Sequence, residues 1–245
     1  MENIERSIAF ISHHKCATSY ISTKILPNVN GYEYVDYQTC AYNEQITSPK
    51  VHSKGHVYGV LRMLEKEHPL YAMTESLISD SLDKSLKIII MVRDPRDVIV
   101  SMYYSFGKTH GLSPNDIIAQ YQRERKDRIV PLSIDEYASA SSSTLYEIYN
   151  RLMSISDVAE DVCVIRYEDM IENFDGFYKT LLGTLPEIEV DYDEFHSSTR
   201  PKDIEDIHRH KRSGRVNSYK DKLSSDTIKY LNSELSSILS FFKYA

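Results

Sequence analysis

Tryptophan is absent from this 245-residue chain, and cysteine occurs only at Cys16, Cys40 and Cys163. An odd number of cysteines without metal-ligand spacing gives neither a disulfide framework nor a zinc site, so reduced thiols are expected. Basic residues are in the minority, 29 Lys and Arg against 36 Asp and Glu, for a formal net charge of −7. That balance argues against a general binder of nucleic acid or anionic membranes, which would present a basic face, and any anion site must be local. Long hydrophobic runs are also missing. Residues 1–15 carry Glu2, Glu5 and one short apolar run at 8–11, which makes neither a signal peptide nor a membrane span. A soluble cytoplasmic protein is expected. Internal repeats and linkers are lacking as well, so residues 1–245 are expected to form one domain.

What is present is an ordinary globular composition, 41% hydrophobic and 27% charged, with 19 tyrosines. So many phenols suit ligand-lined surfaces as well as core edges. The chain is organised around residues 87–106, KIIIMVRDPRDVIVSMYYSF. Ile88 to Val92 is an unbroken apolar run, rich in β-branched residues and too short for a helix, which predicts a strand buried on both faces. Asp94 then serves as N-cap, Pro95 fits the first helical position, and Asp97 falls three residues after the cap. Strand, tight turn and helix follow one another. Arg93 is thereby placed at the carboxyl end of a buried strand, and Ser101 on the helix face of Asp97. Strand ends of this kind bind ligands in open α/β sheets, and an Arg fork with a hydroxyl near a helix N-terminus suits a phosphate. On geometry alone, pairing of Arg93 with Asp94 or Asp97 serves equally well.

A second candidate anion site opens the chain. Residues 7–12, SIAFIS, read as a first strand, followed by His13-His14-Lys15-Cys16-Ala17-Thr18-Ser19-Tyr20 opening a helix to about Leu26, which Pro27 ends. Small residues between strand and helix let backbone N–H groups approach an anion, with Lys15 adding charge and Thr18 and Ser19 adding hydroxyls. The glycines and the Gly-Lys-Ser/Thr ending of a Walker A loop are missing, which weakens a nucleoside triphosphatase reading.

Arg93-Asp94-Pro95-Arg96-Asp97, continuing through Ser101 to Phe106, resembles the 3′-phosphate segment of the sulfotransferases that use 3′-phosphoadenosine 5′-phosphosulfate (PAPS). That resemblance implies that Arg93 and Ser101 hold the 3′-phosphate. Lys15 to Tyr20 is similar to the family's 5′-phosphosulfate loop, Lys-Ser-Gly-Thr-Thr-Trp, with Cys16 for Ser, Ala17 for Gly and Tyr20 for Trp. Lys15, Cys16, Ala17, Thr18, Ser19 and Tyr20 are accordingly expected at the cofactor, Tyr20 stacking on a purine. Lys54-Gly55-His56 resembles the family's Lys-Thr-His, whose His is the catalytic base. The resemblance implies that role for His56, with His52 its competitor on the same segment.

Three further segments extend the likeness. Tyr167-Glu168-Asp169-Met170 matches a family tetrapeptide whose Tyr approaches the adenine, after a predicted strand at 161–166. Ser197 and Ser198 stand loosely where a Thr-Ser-Phe segment lines that base, and Ser198 is taken as the contact. Arg212-Ser213-Gly214 then resembles the family's Arg-Lys-Gly, completing the 3′-phosphate site, with Ser213 in place of the family's Lys. Helices are expected at 59–68, 74–84, 133–157, 174–185 and 224–244, the last packing on the sheet. Residues 31–49 read as loop with one short strand beside the acceptor pocket. Residues 109–131 read as solvated helix and loop, or as a lid over the acceptor.

The resemblance spans residues 8–220 and implies a three-layer α/β fold with a central parallel sheet, related to the P-loop kinases. It implies sulfuryl transfer from PAPS to an alcohol, phenol or amine of a small molecule, with Lys15 stabilising the leaving phosphate, His56 taking the proton, and no metal. A kinase or nucleotidyl enzyme of P-loop type, and a non-catalytic nucleotide-binding module, are the alternatives. No nucleic-acid or membrane partner is expected, and the oligomeric state and acceptor stay open.

Overall fold

Among the described residues five short strands run parallel in one sheet: β1 (Ile8–Ser12), β2 (Glu33–Val35), β3 (His56–Arg62), β4 (Lys87–Val92) and β5 (Val162–Arg166), ordered β2-β3-β1-β4-β5. The computed structural model describes residues 6–36, 50–109, 111–200 and 214–244. Parallel neighbours require crossovers, which helices provide. α1 (Thr18–Tyr20) continues as a wide turn over Ile21–Ile25 and a tight one over Leu26–Asn28. α2 (Tyr71–Asp83) precedes β4; α3 (Pro95–Tyr104), α4 (Asp116–Ile129) and α5 (Ile134–Val158) link β4 to β5. After β5 come α6 (Tyr167–Glu172), α7 (Phe174–Thr184), α8 (Tyr192–Thr199), α9 (Tyr219–Lys222), α10 (Ser225–Glu234) and α11 (Ser236–Phe241).

The two-residue period of the strands divides the core. Ala9, Ile11, Ile88, Ile90 and Val92 face one layer, packed with side chains of α2, α3, α5, α10 and α11. Ile8, Phe10, Ile89 and Met91 face the other, against Ile21, Ile25, Phe174, Phe177 and Phe195. Ile88 to Val92 are all fully buried, as their unbroken apolar run requires. Burying each such side chain contributes about 1.5–3 kcal/mol. The three-layer α/β fold read from the sequence is the fold observed.

Two helical expectations are corrected. Residues 59–68 form no helix; β3 runs through Arg62, because Val57, Tyr58, Val60 and Leu61 are at most 3% exposed and a short apolar run buried on both faces extends. Gly59 is required there: a Cβ would come 2.9 Å from the Tyr34 hydroxyl, which crosses β3 to donate to the Ser22 carbonyl. The closing segment is two helices rather than one, broken at Leu235. By contrast α5 runs 25 residues through its serines, started by a capping box between Ser133 and Glu136.

Candidate active site

Beyond the carboxyl end of β1 the chain turns sharply. Lys15 and Ala17 both take left-handed backbone conformations, φ 70° and 54°, before α1 begins. Glycine occupies such positions at no steric cost, whereas alanine is strained there by roughly 1 kcal/mol. The Lys15 ammonium donates to the Ser105 hydroxyl at 3.0 Å. The Cys16 thiol points inward, fully buried with its sulfur 3.2 Å from His13 Nε2, and burial pushes its pKa up. Cys16, expected at the cofactor from the loop resemblance, therefore has only its backbone left to serve there. Thr18 is buried and its hydroxyl accepts from Arg62 Nε at 3.1 Å.

The turn from β4 into α3 is built as the residues predict. The Asp94 side chain accepts from the Arg96 N–H, and Pro95 takes the first helical position. Glu168, in the first turn of α6, accepts from the Asp94 N–H at 2.9 Å, which ties the turn to the helix that follows the neighbouring strand β5. Arg93 projects from this turn almost fully buried. Its guanidinium donates to the carbonyls of Lys15 (3.1 Å) and Arg215 (3.0 Å), and its Nε is buried without a hydrogen-bond partner. Asp97 stands 3.7 Å from it and accepts from the Ser218 hydroxyl and the Tyr219 N–H. Burial outweighs the nearby Arg93 cation and raises the Asp97 pKa.

Tyr167 lies under Arg93, its ring centroid 4.3 Å from the guanidinium carbon, and donates to the Gly214 carbonyl at 2.9 Å. Gly214 has φ 73°. On the other side Tyr20 stacks on Phe195 at 5.4 Å and accepts from the Ser198 hydroxyl at 2.7 Å. These groups wall one cavity of about 530 Å³ at the carboxyl ends of the strands. It gathers Lys15, Ala17, Thr18, Ser19, Tyr20, Arg93, Ser101, Tyr167, Ser198 and Gly214, all expected at the cofactor from the sequence. Arg212 and Ser213, expected to complete the 3′-phosphate site, lie outside the described residues, as do residues 37–49 of the expected acceptor border.

His56 is not brought there. It opens β3 at the amino end of the sheet, where its N–H donates to the Ser7 hydroxyl and its ring meets Glu33 at 3.3 Å and stacks on His52. Arg62 at the cavity end lies six positions further along β3, about 20 Å at the ~3.3 Å rise of a strand. The expectation of His56 or His52 as base is corrected on that ground.

The cavity instead holds residues that the sequence reading passed over: His14, Arg62, His68, Phe106 and Arg125. Arg62 and His68 fell in the stretch expected to be helical, and the signal that would have found them was the apolar run ending in an arginine. Arg125 caps the Phe106 ring at 3.5 Å and pairs with Glu65 at 3.3 Å, while Tyr121 donates to the same carboxylate. Residues 111–114 and Gln122 also line the cavity. Lys15, Arg62, Arg93 and Arg125 thus stand around it, and among the described lining residues there is no carboxylate. In a chain of net charge −7 this is a local cationic site, and its donor set fits a polyanion. Burial holds the histidines close to it in the neutral form, His13 and His68 lowered to about 4 against the opposing pull of the His14 carbonyl and of Glu65, with Arg93 and Arg125 adding to the lowering. Among the described residues no group of three His, Cys, Asp or Glu is arranged to hold a metal ion, and no helix is long and apolar enough to cross a membrane.

Comparison with known proteins adds two findings. The family profile described as the sulfotransferase domain matches residues 8–182. Solved structures of similar fold include a mouse sulfotransferase, SULT7A1, complexed with PAP, at 15% identity and a TM-score of 0.58, covering 96% of this chain and 84% of that one. Retinol dehydratase in a complex with retinol and PAP is similar at 10% identity and a TM-score of 0.52, covering 95% and 81%. The same enzyme with androsterone and inactive cofactor PAP gives 10%, 0.52, 95% and 80%. At such identities the structural likeness speaks for the fold. No curated protein sequence matches the chain.

Proposed function

The chain belongs to the sulfotransferase domain family and is a transferase of sulfuryl groups; we propose that its donor is PAPS and its acceptor a hydroxyl or amine of a small molecule, with adenosine 3′,5′-bisphosphate released. The observation that carries this reading is the cavity itself, four cationic side chains and no described carboxylate at the carboxyl ends of a parallel sheet. PAP, the ligand named with the mouse sulfotransferase and with retinol dehydratase, is the product such a donor leaves.

In this reading Arg93 and Ser101, with Gly214, hold the 3′-phosphate, and Arg212 and Ser213 are assigned to it from the resemblance. The loop from Lys15 to Ser19 takes the 5′-phosphosulfate, with Cys16 contributing backbone alone. Tyr20, Tyr167 and Ser198 border the adenine. The donor supplies the activated sulfuryl group; the protein's share is positioning and charge stabilisation, as in phosphoryl transfer. Lys15, held by Ser105, offsets charge on the leaving phosphate oxygen, a contribution typically worth about 10²–10³-fold in rate. Phe106, Leu112 and Pro114 give the remaining wall an apolar surface suited to an acceptor with an apolar body. The retinol and androsterone named with the dehydratase are molecules of that kind. A single domain in a soluble, cytoplasmic setting, without nucleic-acid or membrane partners, goes with this reading.

The test is calorimetry with adenosine 3′,5′-bisphosphate and with ATP, each with and without magnesium, followed by transfer of labelled sulfate from PAPS to an acceptor panel. Magnesium-independent preference for the bisphosphate, with labelled product, is expected. Preference for ATP with magnesium would overturn the reading in favour of a kinase, and bisphosphate binding without transfer to any acceptor would leave a binding module.

A further inference from the structure

Transfer of a sulfuryl group to a hydroxyl frees a proton, and His56 stands at the far end of the sheet from the cavity. No carboxylate is present among the described lining residues to take that proton, but two imidazoles are, His14 and His68. Their hydrogen bonding separates them. The Leu70 N–H donates to His68 Nδ1 at 3.1 Å. A neutral ring that accepts at Nδ1 carries its proton on Nε2, and so turns a donor rather than a lone pair outward. His14 Nε2, in contrast, is buried and has no hydrogen-bond partner. Phe106 meets the His14 ring edge-on at 5.3 Å and fixes its plane. Lys15 is the next residue in the chain.

The geometry points to His14 as the general base of this enzyme, placed immediately before the loop lysine rather than on a strand. The assignment rests on the sulfuryl-transfer reading above. In the step, the acceptor O–H proton passes to His14 Nε2 as the acceptor oxygen bonds to sulfur. The bond from sulfur to the donor's 5′-phosphate oxygen breaks, its electron pair leaving on that oxygen, and His14 later releases the proton to solvent.

The surroundings keep this ring in the form that can accept. Burial first, then the cations of Arg125 on α4, Arg62 on β3, the neighbouring His68 and Lys15 of its own loop, hold its pKa well below the usual histidine value. Glu65, the carboxylate on Arg125, is already engaged by that guanidinium and by Tyr121. A polyanionic donor would offset the same cations and raise the proton affinity of His14 when proton transfer is required.

Two readouts test the assignment on the full-length protein. Nitrogen NMR of labelled imidazoles, with the His14 signal identified by its loss in His14→Gln, is expected to show Nε2 unprotonated at neutral pH; a proton on Nε2 overturns the assignment. Kinetics then compare phenol with pentafluorophenol, an acceptor already ionised at neutral pH. His14→Gln is expected to lower kcat for phenol about 10²–10⁴-fold, to spare pentafluorophenol, and to keep the bisphosphate affinity seen by calorimetry. Equal losses for the two acceptors, or undiminished rates with phenol, overturn it. If the wild type accepts neither phenol, the tautomer decides. Failure of the wild type to bind adenosine 3′,5′-bisphosphate sinks the donor reading and this assignment together, whereas intact transfer in His14→Gln sinks the base alone.

Discussion

The Arg93 guanidinium donates to the Lys15 carbonyl at 3.1 Å, across 78 positions of sequence. The two segments with the clearest anion-binding pattern are thereby one unit. The loop that presents Lys15 is held by the side chain expected to grip the 3′-phosphate, and the same guanidinium reaches the carbonyl of Arg215, which follows Arg212-Ser213-Gly214 in the chain.

Arg93→Lys keeps the charge but cannot span both carbonyls from one ammonium. Charge-assisted hydrogen bonds are worth about 1.5–3 kcal/mol each, so affinity for adenosine 3′,5′-bisphosphate is expected to fall about 10–100-fold. Adenosine 5′-phosphate should lose much less. Calorimetry with both nucleotides checks this, and equal losses would remove Arg93 from the 3′-phosphate site.

Lys15→Ala is expected to suppress turnover about 10²–10³-fold while the bisphosphate still binds. Single-turnover transfer from PAPS, compared with product affinity, separates the two effects. A variant that fails to bind would make Lys15 an anchor for the nucleotide instead.

Ala17 sits at φ 54°, where glycine is unstrained and a β-branched residue is a true outlier. Ala17→Val is expected to destabilise the protein by more than about 1 kcal/mol. Ala17→Gly should leave stability unchanged or raise it by up to about 1 kcal/mol, the relieved strain being partly offset by a freer unfolded chain. Urea unfolding midpoints decide, and a clear loss with Gly would contradict the left-handed turn.

His56→Ala should leave kcat at the wild-type value, because the ring faces Glu33 and His52 at the amino end of the sheet. The cost in stability is that of a partly exposed polar contact, under about 1 kcal/mol. A large fall in kcat with intact bisphosphate binding would return the base role to this residue.

Stability should fall on acidification below neutral pH. Burial, and then neighbouring cations such as Arg93 for His13, lower His13 and His68 to about 4, and His14 is lowered well below its usual value. Unfolded histidines titrate near 6.5, so between about pH 6.5 and 4 the unfolded chain binds more protons. The stabilising contribution is complete above the unfolded pKa and is lost as pH falls toward the folded one, at up to about 1.4 kcal/mol per pH unit for each histidine. Asp97 and Glu168, raised by burial, act with the opposite sign and make the slope shallower. Urea midpoints at pH 7 and pH 5 test the balance, and greater stability at pH 5 would count against buried neutral histidines.

Legibility followed burial on two faces and the chemistry of the caps. Ile88 to Val92 with Asp94 and Pro95 announced strand, turn and helix because each residue favours that local state whatever surrounds it. Residues 57–61 carry nearly the same signature, yet 59–68 were read as a helix from the spacing of their apolar residues, and with β3 misread the end of that strand went unseen. Cys16 was expected at the ligand from its place in the family's loop; the turn sends its side chain into the core and leaves its backbone for that part.

The sequence by itself determined a buried strand at 88–92, its helix cap and two candidate anion-binding turns, at Lys15 and Arg93, since strand hydrophobicity and capping are local properties; the parallel three-layer fold was what the family resemblance implied. Only the tertiary structure decided which histidines line the cavity. Parallel strands put every carboxyl end on one edge, so His14 and His68, which follow strands, reach the cavity, while His56, which begins one, is held on the opposite edge by the length of β3.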